Sequence, residues 1–239
     1  MRDAGDPLLV NSAFSASVTG LKTFLKSGYE MKDPSTEHLH PPLTEAQVIA
    51  NLRQTEDFSD QYYAAWWLGR MRSRHPETIP LLLTALDPLH GNPIHNERRA
   101  VALNAIRALG ILQATNAEEK LRILLKKNDY SIREESARSL GMIQAQSAVP
   151  DLCDLLSGGP DEIEQIQPES AKLKEPYESI VEALGAIGVA SRSVIIMITP
   201  FTKHSRPLIR ASACRALLQL TGDQKWAPPL IELLQHDDP

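Results

Sequence analysis

One eight-residue phrase recurs five times in this chain and confines its fold more than any other feature. It reads AAWWLGRM at 64–71, AIRALGIL at 105–112, SARSLGMI at 136–143, IVEALGAI at 180–187 and ACRALLQL at 213–220. A Leu-Gly pair marks four of them, at Gly69, Gly110, Gly141 and Gly185, with Leu218 in the fifth place. The intervals are 41, 31, 44 and 33 residues. Within the phrases the inward positions fall three and four apart, as at Ile132, Ser136, Leu140 and Ile143, or Ile180, Leu184 and Ile187. That period lays one face of an α-helix on a core. After each phrase comes a second apolar stretch, at 79–86, 117–125, 149–156, 192–201 and 230–234. Pro80, Pro150 and Pro228 lie near the starts of three of them, where a missing N–H costs little. No segment shows a sustained strand alternation.

A helix pair cannot bury its apolar face alone, so repeated pairs stack into one continuous core. A pair repeating every 31–44 residues is the mark of a HEAT-type repeat. The expected fold is therefore all-α, an α-solenoid of about five HEAT-like helix pairs over residues 44–239. Residues 1–43 form an irregular N-terminal segment in this reading. Val18, Leu21, Phe24 and Leu25 can make one short helix there, and 32–42, with three prolines and two histidines, is a loop. Thr44-Glu45-Ala46-Gln47 has the form of a capping box that opens the first helix. The unequal intervals place insertions at 87–99 and 157–177. Such insertions fall along one rim of a solenoid, often the binding rim; inert loops are the alternative.

Composition and motifs argue against several functions. Lys plus Arg total 25 against 30 acidic residues, a net charge of −5, whereas a phosphate-tracking nucleic-acid binder usually carries a basic excess. The longest aliphatic run, Val194 to Ile198, is far too short to span a bilayer. The N-terminus has no basic segment leading an apolar one, so no signal peptide is expected. Cys153 and Cys214 lie inside helical apolar patterns and are expected to be buried, reduced thiols. There is no Walker loop, dinucleotide fingerprint or GxSxG elbow. The histidine pairs His38/His40 and His90/His95 lack further ligands, so no metal is expected. No catalytic residue of its own is assigned; chemistry here would occur between bound partners.

The first repeat is the exception to the pattern. Four rings, Tyr62, Tyr63, Trp66 and Trp67, crowd into it, although aromatic residues are only 5% of the chain. Two places before the Leu of Leu-Gly stand Trp66, Arg107, Arg138, Glu182 and Arg215. Five places before it stand Tyr63, Asn104, Glu135, Ser179 and Ser212. Both positions are mostly polar and are expected to face water, with Tyr63, Trp66 and Arg70 on one helix face and Ala64, Leu68 and Met71 turned into the core. Exposed rings beside an arginine are the composition of a binding hot spot. The alternative is that the N-terminal segment folds over them.

The phrase QYYAAWWLGRMR, Gln61 to Arg72, resembles the E (alpha-type) subunits of the E/F-type phycobilin lyases, HEAT-like proteins of cyanobacteria and red-algal plastids. Further resemblance lies in NAIRALG at 104–110, YSIREESARSL at 130–140 and PYESIVEALGAIG at 176–188. It spans about residues 44–222. It implies a subunit active only beside an F-type partner. The pair would attach a linear tetrapyrrole, a phycobilin, through a thioether to a cysteine of a phycobiliprotein. Some family members also isomerise the bilin or run the transfer in reverse. The bilin is substrate; no permanently bound cofactor is implied. Matching positions make Tyr62, Tyr63, Trp66, Trp67, Arg133, Glu134, Tyr177 and Glu178 site candidates, beside Arg70 from the helix face. The implied location is cyanobacterial cytoplasm or plastid stroma. The competing reading is a non-catalytic HEAT adaptor or chaperone for phycobiliproteins. The chain's end, without an obviously polar final helix, adds the expectation of a heterodimer.

Overall fold

The computed structural model describes residues 43–87, 96–160, 163–167 and 170–235. The short N-terminal helix expected at 18–25 and the loop histidines lie outside them. A first helix, α1 (Glu45–Arg53), precedes five pairs: α2 (Phe58–Arg70) with α3 (Thr78–Thr84), α4 (Asn96–Ile111) with α5 (Glu118–Leu124), α6 (Tyr130–Met142) with α7 (Val149–Leu156), α8 (Tyr177–Ile187) with α9 (Arg192–Ile198), and α10 (Pro207–Thr221) with α11 (Ala227–Gln235). The capping box is present: the Gln47 N–H donates to Thr44 Oγ1, and the Thr44 N–H donates to Gln47 Oε1 at 2.8 Å.

The recurring phrase forms the even-numbered, leading helices, which pack side by side along the stack. Its Leu is fully buried throughout, at Leu68, Leu109, Leu140, Leu184 and Leu217. The following Gly touches the next leading helix. A Cβ on Gly69 would meet Ala108 Cα at 2.8 Å, one on Gly110 would meet Ser139 Oγ at 2.7 Å, one on Gly141 Ala183 Cα at 2.8 Å, and one on Gly185 Ala216 Cα at 2.9 Å. Each contact thus joins a Gly of one repeat to the residue just before the Leu of the next. That residue is small wherever a leading helix with such a Gly precedes it. In α2, with none before it among the described residues, the place holds Trp67, half-buried against the core. At the far end, α10 has Leu218 where the others have Gly.

The chain leaves most leading helices the same way. Arg72, Gln113 and Gln144 are the fourth residues after their Leu and have φ of 51°, 57° and 54°; Gly188 takes that place after α8 with φ 77°. This left-handed step closes each helix end and reverses the chain.

The structure corrects the sequence reading at four points. The position five before the Leu does not face water in repeats two to five: Asn104, Glu135, Ser179 and Ser212 are all buried. It lies against the preceding leading helix, where Asn104, Glu135 and Ser212 make inter-repeat bonds and the Ser179 hydroxyl has no hydrogen-bond partner. Asn104 Nδ2 donates to the Tyr62 carbonyl at 3.1 Å, and Ser212 Oγ donates to Glu182 Oε1 at 3.0 Å. Met71 is 60% exposed rather than in the core, because it follows the last helical residue of α2. The insertion at 87–99 ends earlier than expected, since α4 begins at Asn96. Finally, the 157–177 insertion holds an antiparallel hairpin, β1 (Ile163–Gln167) and β2 (Ser170–Leu173), with Ile163 opposite Leu173.

Alanine normally stabilises a helix interior over glycine by about 0.5–1 kcal/mol. Gly141→Ala should do the opposite here and lower stability by about 1–3 kcal/mol, because its Cβ meets backbone. Denaturant unfolding measures this; an unchanged or raised midpoint would show that the helices can separate without cost.

Candidate functional site

Side chains four residues apart on neighbouring helices build a grid on the outer face of the leading helices. Six places before the Leu it holds Tyr62, Leu103, Glu134, Glu178 and Ala211. Two places before, it holds Trp66, Arg107, Arg138, Glu182 and Arg215. Two places after, it holds Arg70, Ile111, Met142, Ala186 and Gln219. All fifteen are at least partly exposed. Five candidates from the sequence, Tyr62, Trp66, Arg70, Glu134 and Glu178, therefore share one face. Tyr63 stands at its edge, 55% exposed, with its ring 5.5 Å from that of Trp66. It is open because α2 has no preceding leading helix among the described residues, whereas its counterparts are covered. Trp66 itself is 47% exposed.

The other candidates lie beneath this face. Tyr177 is 1% exposed, and its ring packs on Phe201 at 5.0 Å between centroids. Arg133 is 8% exposed and its guanidinium is committed: Nε to Glu175 Oε2 at 2.8 Å, and the two terminal nitrogens to the carbonyls of Lys127 at 2.8 Å and Lys174 at 2.7 Å. It ties the C-terminal root of the hairpin to α6. Trp67 fills the unused small-residue place. These three hold the scaffold on which the exposed candidates sit.

The charges of the face are organised by ion pairs between and within repeats. Arg107 donates to Glu135 at 2.8 Å; Arg138 donates to Glu134 at 2.9 Å and reaches Glu135 at 3.5 Å; Arg215 pairs with Glu182. The hydrogen bond to Glu135 raises the Arg107 pKa further, so that cation is permanent. Over α6, α8 and α10 the face forms a trough of about 320 Å³, lined by Arg138, Met142, Glu182, Ala186, Arg215 and Gln219 among others. Tyr130, at the start of α6, adds a phenol that the sequence reading missed. Burial and the Glu134 charge push its pKa up, so it stays protonated. Arg107 and Arg138 join the same face, although their repeat positions mark them in the sequence only as water-facing. Both cysteines have pKa values raised by burial, which leaves neither an activated thiolate.

Comparison with known proteins decides the family. Residues 94–167 match the HEAT repeats family, and residues 60–88 match the PBS lyase HEAT-like repeat, which covers the aromatic phrase. The chain is 42% identical over 196 residues to a phycocyanobilin lyase subunit alpha of Synechococcus elongatus, covering 80% of this chain and 68% of that one. It belongs to the phycocyanobilin lyase alpha-subunit family. A bilin biosynthesis protein, RpcE, of Synechococcus sp. strain WH8020 is 81% identical over 209 residues, 87% of this chain and 79% of that protein. The solved complex of CpcE and CpcF of phycocyanin lyase from Nostoc sp. PCC7120 contains a chain with TM-score 0.73 and 34% identity, over 87% of this chain and 77% of that one. An engineered protein with TM-score 0.52 and 18% identity shares the fold alone. In this lyase-family chain no helix of the described residues is long and apolar enough to cross a membrane.

Two substitutions should separate face from scaffold. Trp66→Ala should shift stability by about 0.5 kcal/mol or less, yet weaken partner or bilin binding by about 2 kcal/mol. Arg133→Ala should destabilise by about 3–5 kcal/mol, because it removes one partner of a buried ion pair together with two bonds to the Lys127 and Lys174 carbonyls. Thermal unfolding beside a binding titration checks both; a large loss of melting temperature in Trp66→Ala with binding intact would reverse the assignment.

Proposed function

We propose that this chain is the alpha-type subunit of a phycobilin lyase, which acts with a second, F-type HEAT-like subunit to attach a linear tetrapyrrole to a cysteine of a phycobiliprotein. The open column of Tyr62, Tyr63 and Trp66 carries this reading. Three rings exposed together on one helix suit contact with a flat apolar ligand or a partner. The grid beside them supplies cations for carboxylates, acids in Glu134 and Glu178, and a neutral phenol in Tyr130.

The acceptor brings the sulfur nucleophile, so the lyase needs only to hold acceptor thiol and bilin together. Holding two reactants in a productive geometry removes much of the entropic cost of their encounter. A rigid stack of helices suits that task. The described residues offer no activated thiolate of their own, which fits a subunit that positions rather than attacks.

Co-production with an F-type partner, a bilin source and an acceptor subunit tests this. The expected result is an acceptor with covalent, zinc-fluorescent bilin only when both lyase chains are present. An unmodified acceptor in every combination, with the chain still bound to it, would replace the lyase by the adaptor reading.

A further inference from the structure

Glu135 is unusual among the grid's neighbours. It is a carboxylate only 6% exposed, one layer below the outer face, between α4 and α6. A buried carboxylate must be paired, and this one accepts from two guanidiniums, Arg107 from α4 and Arg138 from its own helix. It therefore fixes two cations side by side at the surface. Arg107 is held a second time: Nη1 donates to Asn104 Oδ1 at 3.3 Å, and Asn104, itself 2% exposed, donates from Nδ2 to the Tyr62 carbonyl. One chain of bonds thus runs from the backbone under the aromatic column to Arg107, through Glu135, to Arg138. The second hold on Arg138 is Glu134.

Each guanidinium has five N–H donors in a planar fork. Arg107 uses two for Asn104 and Glu135, and its side chain is 48% exposed; Arg138 uses two for Glu135 and Glu134 and is 39% exposed. Three N–H donors of each are not used in these bonds. Both guanidiniums reach one oxygen, Glu135 Oε1, at 2.8 and 3.5 Å, so the pair presents two carboxylate-binding groups side by side. A linear tetrapyrrole carries two propionates on adjacent inner rings and a flat conjugated body.

We infer that Arg107 and Arg138, pinned by the buried Glu135, bind the two propionates of the bilin while Tyr62 and Trp66 cover its ring plane. The inference rests on the lyase reading above and adds to it the residues that fix the substrate's orientation. Binding to forks already locked in place loses little side-chain entropy. The same pair explains why a carboxylate occupies a buried place that is filled by Asn or Ser in the other covered repeats.

The test compares a free bilin diacid with its dimethyl ester, titrated by visible absorption into the assembled heterodimer. The wild type should prefer the diacid by tenfold or more, the order expected for charged hydrogen bonds. Arg107→Gln with Arg138→Gln, made together with Glu135→Gln so that no buried carboxylate is left unpaired, should abolish that preference and leave ester binding unchanged. The single Arg107→Gln variant, at an exposed site, should lose part of it, and Arg107→Lys with Arg138→Lys should restore part. Equal wild-type affinity for diacid and ester, or a Gln pair that still prefers the diacid, would overturn the assignment while leaving the lyase reading in place. A wild-type heterodimer that binds neither form would overturn both.

Discussion

The stack depends on how closely its leading helices approach. At Gly69, Gly110, Gly141 and Gly185 there is no room for a side chain, because a Cα or small side chain of the next helix lies where a Cβ would be. Close approach brings the flanking rows together as well. It lets a carboxylate at Glu135 reach an arginine on the helix before it, and lets Asn104 reach the carbonyl of Tyr62. The polar contacts between repeats follow from the apolar fit beneath them. Interior packing tolerates few voids, so a spacing set by glycine at one place is felt along the whole interface.

That constraint also explains the two ends. Where no leading helix precedes α2 among the described residues, the small residue is replaced by Trp67 and the covered polar residue by Tyr63. Where no further leading helix follows α10 among the described residues, Gly is replaced by Leu218. The aromatic column is thus a property of position in the stack as much as of helix amphipathicity. A ring that would clash in the interior of the array is accommodated at its beginning.

Burial divides the residues that resemblance to the lyases brings forward. Tyr62, Trp66, Glu134 and Glu178 stand in the exposed grid, and Tyr63 at its edge; Arg133, Tyr177 and Trp67 support it from below. Adjacent residues can have opposite roles here, as Arg133 and Glu134 do, because a helix turns about 100° per residue. One step along the chain moves a side chain from the hairpin's root to the outer face.

The repeat period, the helix pairs, the capping box at Thr44 and the even placement of Leu in the core were all legible in the chain, because they depend on local periodicity and on which residue types tolerate burial. The YYAAWW phrase likewise pointed to the family. Partnership across repeats was not legible. Polar residues at Asn104, Glu135 and Ser212 look solvent-facing in one helix, yet they are buried once the preceding helix covers them and supplies bonds. Met71 looked inward by periodicity, but the helix stops before it. The hairpin at 163–173 pairs residues with no clear alternation, and the twin arginines on Glu135 come from positions 28 and 3 residues away from it. Local pattern determines which face of a helix can be apolar; only the packing of one repeat on the next decides which polar groups lose water, and therefore which cations are held in place.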